Sequence, residues 1–222
     1  MKVAVSWSGG KESCLACYKA LLQGHDVSFL LNFTSFEKRS MFHNLRDELI
    51  EIQSQAIEIP LIQHKTTMNT YEKEFKSALK KFKEMGIEGI VFGDIHEIPK
   101  HEGWVDKMCK EIDLISLKPL WKNDPQEVLQ DFIDSGFKAT VIKIKDDKLN
   151  EEFLGRELNT QFIEDLQKYD DKISICGEFG EYHTYVTDGP LFKRNIKILN
   201  GNKIFKYGYW HLDITKFEIH SR

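Results

Sequence analysis

The chain has 222 residues, 41% hydrophobic and 30% charged, with no apolar run long enough to span a bilayer, which excludes disordered, collagenous and membrane-spanning classes. Lys and Arg at 31 against Asp and Glu at 35 give a formal charge of -4, which argues against wrapping nucleic acid through bulk electrostatics. Four cysteines, and an opening Met1-Lys2-Val3-Ala4-Val5 that reads as a strand rather than a leader, predict a cytoplasmic protein with free thiols.

In chain order, short apolar runs at 2–6, 27–33, 57–63, 89–93 and 114–117 alternate with longer amphipathic stretches, the pattern of a parallel sheet flanked by helices. The clearest helix is predicted over 71–85. Tyr71, Phe75, Ala78, Leu79, Phe82 and Met85 share one face, Lys73, Lys76, Lys80, Lys81 and Lys83 form a solvated opposite face, and Gly86 ends it. Asp124-Pro125 predicts another helix start, with Asp as cap and Pro in the first turn, running to Gly136. Beyond Phe137 the pattern changes to a strand at 139–145, a loop at 146–150, a helix at 160–169, and strands at 173–176, 182–187, 195–199, 203–207 and 210–220. Asn200-Gly201-Asn202 reads as a hairpin turn, because Asn and Gly tolerate positive φ. The expected architecture is a nucleotide-type α/β domain over 1–136 and a smaller α+β domain over 137–222.

The most informative segment is Ser6-Trp7-Ser8-Gly9-Gly10-Lys11-Glu12-Ser13, between the first strand and the first helix. A helix N-terminus exposes unpaired N–H groups and the positive end of its dipole, which stabilises an anion. Gly9 and Gly10 let the backbone turn and approach phosphate oxygens, Lys11 adds a full charge, and the Ser8 and Ser13 hydroxyls can donate. The spacing matches neither the G-x-x-x-x-G-K-[ST] P-loop nor the G-x-G-x-x-G dinucleotide fingerprint.

The Ser8-Gly9-Gly10-Lys11-Glu12-Ser13 core instead resembles the PP-loop of ATP pyrophosphatases, which cleave ATP between the α and β phosphates. Further segments resemble the diphthine-ammonia ligase family and its prokaryotic relatives. They are Ile90-Val91-Phe92-Gly93-Asp94-Ile95, His101-Glu102-Gly103-Trp104-Val105, Lys118-Pro119-Leu120-Trp121, Phe153-Leu154-Gly155-Arg156, Gly177-Glu178-Phe179-Gly180-Glu181-Tyr182-His183-Thr184 and Asp188-Gly189-Pro190-Leu191-Phe192. They run in the family's order across nearly the whole chain.

The resemblance implies a HUP-type, Rossmann-like parallel-sheet domain carrying the PP-loop, plus a C-terminal α+β domain for acceptor recognition. It implies an ATP- and Mg²⁺-dependent ligase that adenylates the diphthine carboxylate of elongation factor 2 and amidates it with ammonia, releasing AMP and pyrophosphate. Ser6, Ser8, Gly9, Gly10, Lys11, Ser13, Asn32, Gly93 and Asp94 would then bind the nucleotide, with Lys11 stabilising the departing pyrophosphate. Glu12 and Asp94 would hold Mg²⁺, and Glu178, Glu181 and His183 would handle acceptor or ammonium. The family motif reads E-G-G-E-[FY]-E-T, so Phe179 and His183 depart from it and leave the acceptor open. An RNA-base-modifying PP-loop enzyme using thiols and a non-catalytic adenine-nucleotide module are the alternatives, and self-association into a homo-oligomer stays open.

Cys14 and Cys17 have C-x-x-C spacing, but Cys109 and Cys176 supply no second pair, so helix packing is expected rather than a zinc site. His96, His101 and His211 lack metal spacing, and Trp104, Trp121 and Trp210 are expected to pack.

Overall fold

The run Val3-Ala4-Val5 is fully buried, as a strand covered on both faces requires. In the computed structural model, which describes residues 1–97 and 102–221, this strand, β1 (Lys2–Ser6), sits at the centre of a five-stranded parallel sheet. The order is β3-β2-β1-β4-β5, with β2 at Asp26–Thr34, β3 at Leu61–Lys65, β4 at Gly89–Val91 and β5 at Ile115–Leu117. The connecting helices are α1 (Lys11–Leu22), α2 (Asp47–Ile57), α3 (Tyr71–Glu84) and α4 (Trp104–Glu111). From α3, Phe75, Ala78, Leu79 and Phe82 join Ala4, Leu31 and Ile90 of the sheet in one buried cluster, while its lysines face water as the periodicity requires. Strand order reverses between β1 and β4, and open parallel sheets place ligands outside the carboxyl ends of the strands at such a point.

A second, four-stranded antiparallel sheet has the order β7-β6-β9-β8, with β6 at Lys138–Lys145, β7 at Tyr182–Asp188, β8 at Arg194–Lys206 and β9 at Tyr209–Ser221. Helices α5 (Pro125–Asp134) and α6 (Thr160–Tyr169) belong with it. The Asp124 carboxylate caps α5, accepting the N–H groups of Gln126 and Glu127. Strand β8 forms one edge of this sheet; it carries Arg194, Lys197, Lys203 and Lys206 and no acidic residue.

The chain divides into two compact units, Met1–Ser8 with Glu12–Lys122, and Gly9–Lys11 with Asn123–Arg222. Helix α5 thus groups with the second unit, whereas the sequence reading breaks the chain after Gly136. No helix among the described residues is long and apolar enough to cross a membrane.

Three local expectations are corrected. The apolar run 57–63 is split: Ile57 buries itself at the end of α2, Glu58 turns left-handed at φ 61°, and β3 starts only at Leu61, after Pro60. Residues 173–176 form no strand. Side chains satisfy their backbone instead, the Ser174 N–H donating to Glu181 and the Ile175 carbonyl accepting the Tyr182 hydroxyl. Asn200-Gly201-Asn202 lies inside β8, where the register shifts by a bulge, and the hairpin turns at Tyr207-Gly208. Both turn residues have positive φ, 55° and 77°, as a tight two-residue hairpin connection demands.

Candidate active site

Between the end of β1 at Ser6 and the start of α1 at Lys11, the chain turns at Gly9, whose φ of 81° lies in the left-handed region. In the first unit, the Ser8 hydroxyl donates to the Ser13 hydroxyl at 3.1 Å across the opening of α1. Trp7 is locked: its N–H donates to the Leu31 carbonyl at 2.7 Å and its indole to Gln53 Oε1 at 3.0 Å. Asn32, buried, donates through Nδ2 to the Trp7 carbonyl at 2.8 Å, so it braces the entrance to the loop. A Cβ on Gly93 would stand 2.8 Å from the Glu12 carbonyl carbon and 2.9 Å from the Ser13 nitrogen. The carboxyl end of β4 therefore reaches the first turn of α1 only because that residue is glycine.

The loop tip, in the second unit, lies on β7. The Gly9 carbonyl accepts the Val186 N–H at 3.0 Å, and the Lys11 N–H donates to Thr184 Oγ1 at 3.1 Å. Lys11 is 4% exposed, and its ammonium stands 4.6 Å above the Tyr182 ring. Gly9, Lys11, Tyr182 and Thr184 are thereby brought together from two motifs more than 170 residues apart in sequence. Tyr182 and Thr184 as supports of the loop are absent from the sequence reading, although their i, i+2 spacing on a strand was the available signal.

Glu181 is buried, and its two oxygens accept the N–H groups of Ser174 at 3.2 Å and Phe179 at 2.9 Å. Glu178 is half-buried and its N–H donates to the Ser174 hydroxyl, while Phe179 is exposed. His183 alternates with Tyr182 and Thr184 and so faces the other side of the sheet, opposite Lys143, which in turn pairs with His211. Burial lowers the pKa of Lys143, whose ammonium lies 4.3 Å above the Tyr209 ring.

Asp94, three residues beyond β4, is half-buried. Burial pushes its carboxyl up to about 6; Lys118 opposes the shift, and the charges of Asp106, Glu97 and Glu12 add to it. The Lys118 ammonium lies 2.6 Å from Asp106 and 4.0 Å above the Trp121 ring. Burial also acts upward on Asp106, but hydrogen bonds from Lys118 and Ser116 outweigh it and hold that carboxyl below its usual range. Among the described residues no group of three or more His, Cys, Asp or Glu forms a metal site of its own. His101 lies outside the described residues.

The cysteines pack, as expected. Burial raises the Cys14 thiol well above its usual value and pushes Cys17 and Cys109 up to about 12, and Cys176 donates to the Pro125 carbonyl at 3.0 Å. Thiols so protonated are poor nucleophiles.

The chain is similar in sequence and in fold to known proteins. A protein named Diphthine--ammonia ligase from Mus musculus is 29% identical over 224 residues, covering 89% of this chain and 83% of its own. One of the same name from Bos taurus is 30% identical over 222 residues, covering 88% and 82%. In fold, the chain is similar to a predicted subunit of tRNA methyltransferase from Methanocaldococcus jannaschii, with a TM-score of 0.51 at 15% identity, over 86% of this chain and 98% of that one. Residues 1–116 match the family model for the diphthamide synthase N-terminal domain and residues 124–219 that for the C-terminal domain. The chain belongs to the diphthamide synthase family.

Proposed function

We propose that the protein is an ATP-dependent ligase that joins ammonia to the carboxylate of diphthine on elongation factor 2, in the cytoplasm, with release of AMP and pyrophosphate. The observation that carries this reading is Lys11, buried at the tip of a glycine loop and held against Tyr182 and Thr184 of the second motif. A carboxylate is a poor electrophile at neutral pH. An acceptor carboxylate oxygen attacks the α-phosphorus of ATP, the bond to the β-phosphate oxygen breaks, and pyrophosphate leaves. Ammonia then attacks the acyl carbon, the bond to the AMP oxygen breaks, and the nitrogen gives its extra proton to water.

Ser8, Gly9, Gly10, Lys11 and Ser13 bind the phosphates in this reading, through backbone N–H groups, hydroxyls and one ammonium. The Lys11 charge opposes the charge that develops on the departing pyrophosphate. Ser6, Asn32 and Gly93 shape the nucleotide site by fixing the strand ends around it. Glu12 and Asp94 fit Mg²⁺: partial burial and, after it, the nearby carboxylates disfavour the Asp94 charge, and Mg²⁺ arriving with a nucleotide needs only one or two carboxylates beside phosphate oxygens. When bound, the ion would neutralise phosphate charge. Glu181 holds the 173–181 loop in shape, and Glu178 and His183 contribute to acceptor and ammonium handling.

Incubation with ATP, Mg²⁺, ammonium chloride and diphthine-bearing elongation factor 2 is expected to give AMP, pyrophosphate and the amidated factor. ADP with phosphate would reject cleavage at the α-phosphorus, and AMP without a modified factor would reject the named acceptor.

A further inference from the structure

Asn32 on β2 is 3% exposed, and among the described residues no donor reaches its Oδ1, which is closed off from solvent. The amide cannot simply turn over. Its Nδ2 donates to the Trp7 carbonyl at 2.8 Å, and the flipped amide would set oxygen against oxygen, so the atom left open is an acceptor. A buried acceptor without a partner destabilises the free protein, and a donor that satisfies it removes that cost.

The donors of the loop entrance are engaged elsewhere. The Trp7 N–H goes to the Leu31 carbonyl and its indole N–H to Gln53, while the Ser8 hydroxyl donates to Ser13. Ser6 pairs with Leu31 across β1 and β2, so Asn32 stands level with Trp7, just before the glycine turn. This is the carboxyl end of the sheet, where open parallel sheets bind ligands. A nucleotide whose phosphates meet the start of α1 lays its base across these strand ends.

Resting on the ATP-dependent reading above, the geometry points to Asn32 as the residue that selects the base: its Oδ1 accepts an N–H of the adenine 6-amino group. One Nδ2 hydrogen is used by Trp7, and the second is available to a ring nitrogen beside that amino group. An Asn amide presents an acceptor and a donor on one edge, the pattern that matches the amino group and ring nitrogen of adenine. A 6-oxo purine sets an acceptor against Oδ1 and is repelled. The base parts the cover over Oδ1 to arrive, and the bond then forms without competing water, where a hydrogen bond discriminates most. The same side chain braces the Trp7 carbonyl, so reading of the base and support of the phosphate loop meet in one residue.

Calorimetric titration of the intact protein with the Mg²⁺ complexes of ATP, ITP, purine riboside triphosphate and 2′-deoxy-ATP tests this without any acceptor. ATP is expected to bind about 30-fold more tightly than ITP and about tenfold more tightly than purine riboside triphosphate, which has no 6-substituent. Deoxy-ATP should match ATP within about threefold. Asn32→Leu should weaken ATP and bring it within about threefold of ITP, whereas a residue that only braced the loop would weaken both alike and leave their ratio. Trp7→Phe, which removes the indole bond to Gln53, should keep the parent ratio. Equal binding of ATP and ITP by the parent, an unchanged ratio in Asn32→Leu, or a loss confined to deoxy-ATP would overturn the proposal, the last by placing the donor on the ribose. Each of these leaves the ligase reading standing, because ATP still binds. The parent comparison decides alone should Asn32→Leu fail to fold. A strong preference for ATP with no amide on elongation factor 2 supports the role of Asn32 and rejects that acceptor.

Discussion

The α-carbon of Gly93 lies so close to Glu12 that a methyl group there would stand 2.8 Å from the Glu12 carbonyl carbon and 2.9 Å from its oxygen. Both contacts are to backbone, which cannot rotate away. Gly93→Ala is therefore expected to push the end of β4 from the first turn of α1, at a cost of about 1–3 kcal/mol. It should also impair nucleotide binding beyond that loss of stability. Urea unfolding and ATP binding by calorimetry check the two parts separately, and an unchanged ATP affinity would contradict the packing argument.

Lys11 is predicted to matter chiefly in the step that expels pyrophosphate. Lys11→Met keeps an unbranched side chain at this position and removes the ammonium that stands over the Tyr182 ring. Its expected effect is a fall of about 10²–10³ in the rate of AMP formation, the usual scale for losing one group that stabilises developing charge. The melting temperature should shift little by comparison. Pyrophosphate release assays on the variant give the first number and calorimetry the second.

Asp94 links stability to pH in an unusual direction for a carboxylate. Its folded value of about 6 lies above the ordinary 3.8, so the folded state binds the proton more tightly than the unfolded chain does. Above pH 6 the ionised carboxyl works against folding; as pH falls from 6 towards 4 that penalty disappears. Asp94→Asn is thus expected to be more stable than the parent at pH 7 by on the order of 2–3 kcal/mol, with the difference vanishing near pH 4. Thermal melts of both proteins across this range decide it, and a gap that widens on acidification would refute the burial account.

Glu181 predicts a structural phenotype. Its two oxygens accept two backbone N–H groups from the 173–181 loop, so Glu181→Ala leaves both donors without their partner. The expected cost is about 2–4 kcal/mol, and hydrogen exchange at Ser174 and Phe179 should accelerate. Exchange that stays slow at both amides would mean that other groups hold the loop.

For the thiols, Cys14→Ala and Cys176→Ala should leave AMP formation within about twofold of the parent, since burial raises the Cys14 thiol's pKa and the Cys176 thiol is buried and donates to the Pro125 carbonyl. A collapse of turnover in a still-folded variant would revive a sulfur-carrying mechanism.

Much of this was legible in the sequence where one signal governed the outcome. Helix α6 matches the expected 160–169, because Asn159 caps it and Phe162, Ile163 and Leu166 fix its buried face. The turn between β1 and α1 was readable because two glycines between a buried apolar strand and a helix mark such a turn. The hairpin was misread because Asn-Gly serves bulges as well as turns, and nothing local shows that Tyr207 accepts a positive φ beside Gly208. The run 173–176 has strand composition, yet Glu181 and Tyr182 claim its backbone groups, a decision made by residues several positions away.

The edge strand β8 bears on how the protein avoids sticking to itself. Were two copies to zip together antiparallel about Asn200, Arg194 of one would face Lys206 of the other, and Lys197 would face Lys203, so every such rung sets like charges opposite each other. The exposed Ile204 and Phe205 are shielded from mutual recruitment by these lysines. Replacing Lys197 and Lys203 with threonine should accordingly raise light scattering on storage at low salt, with enzymatic turnover untouched.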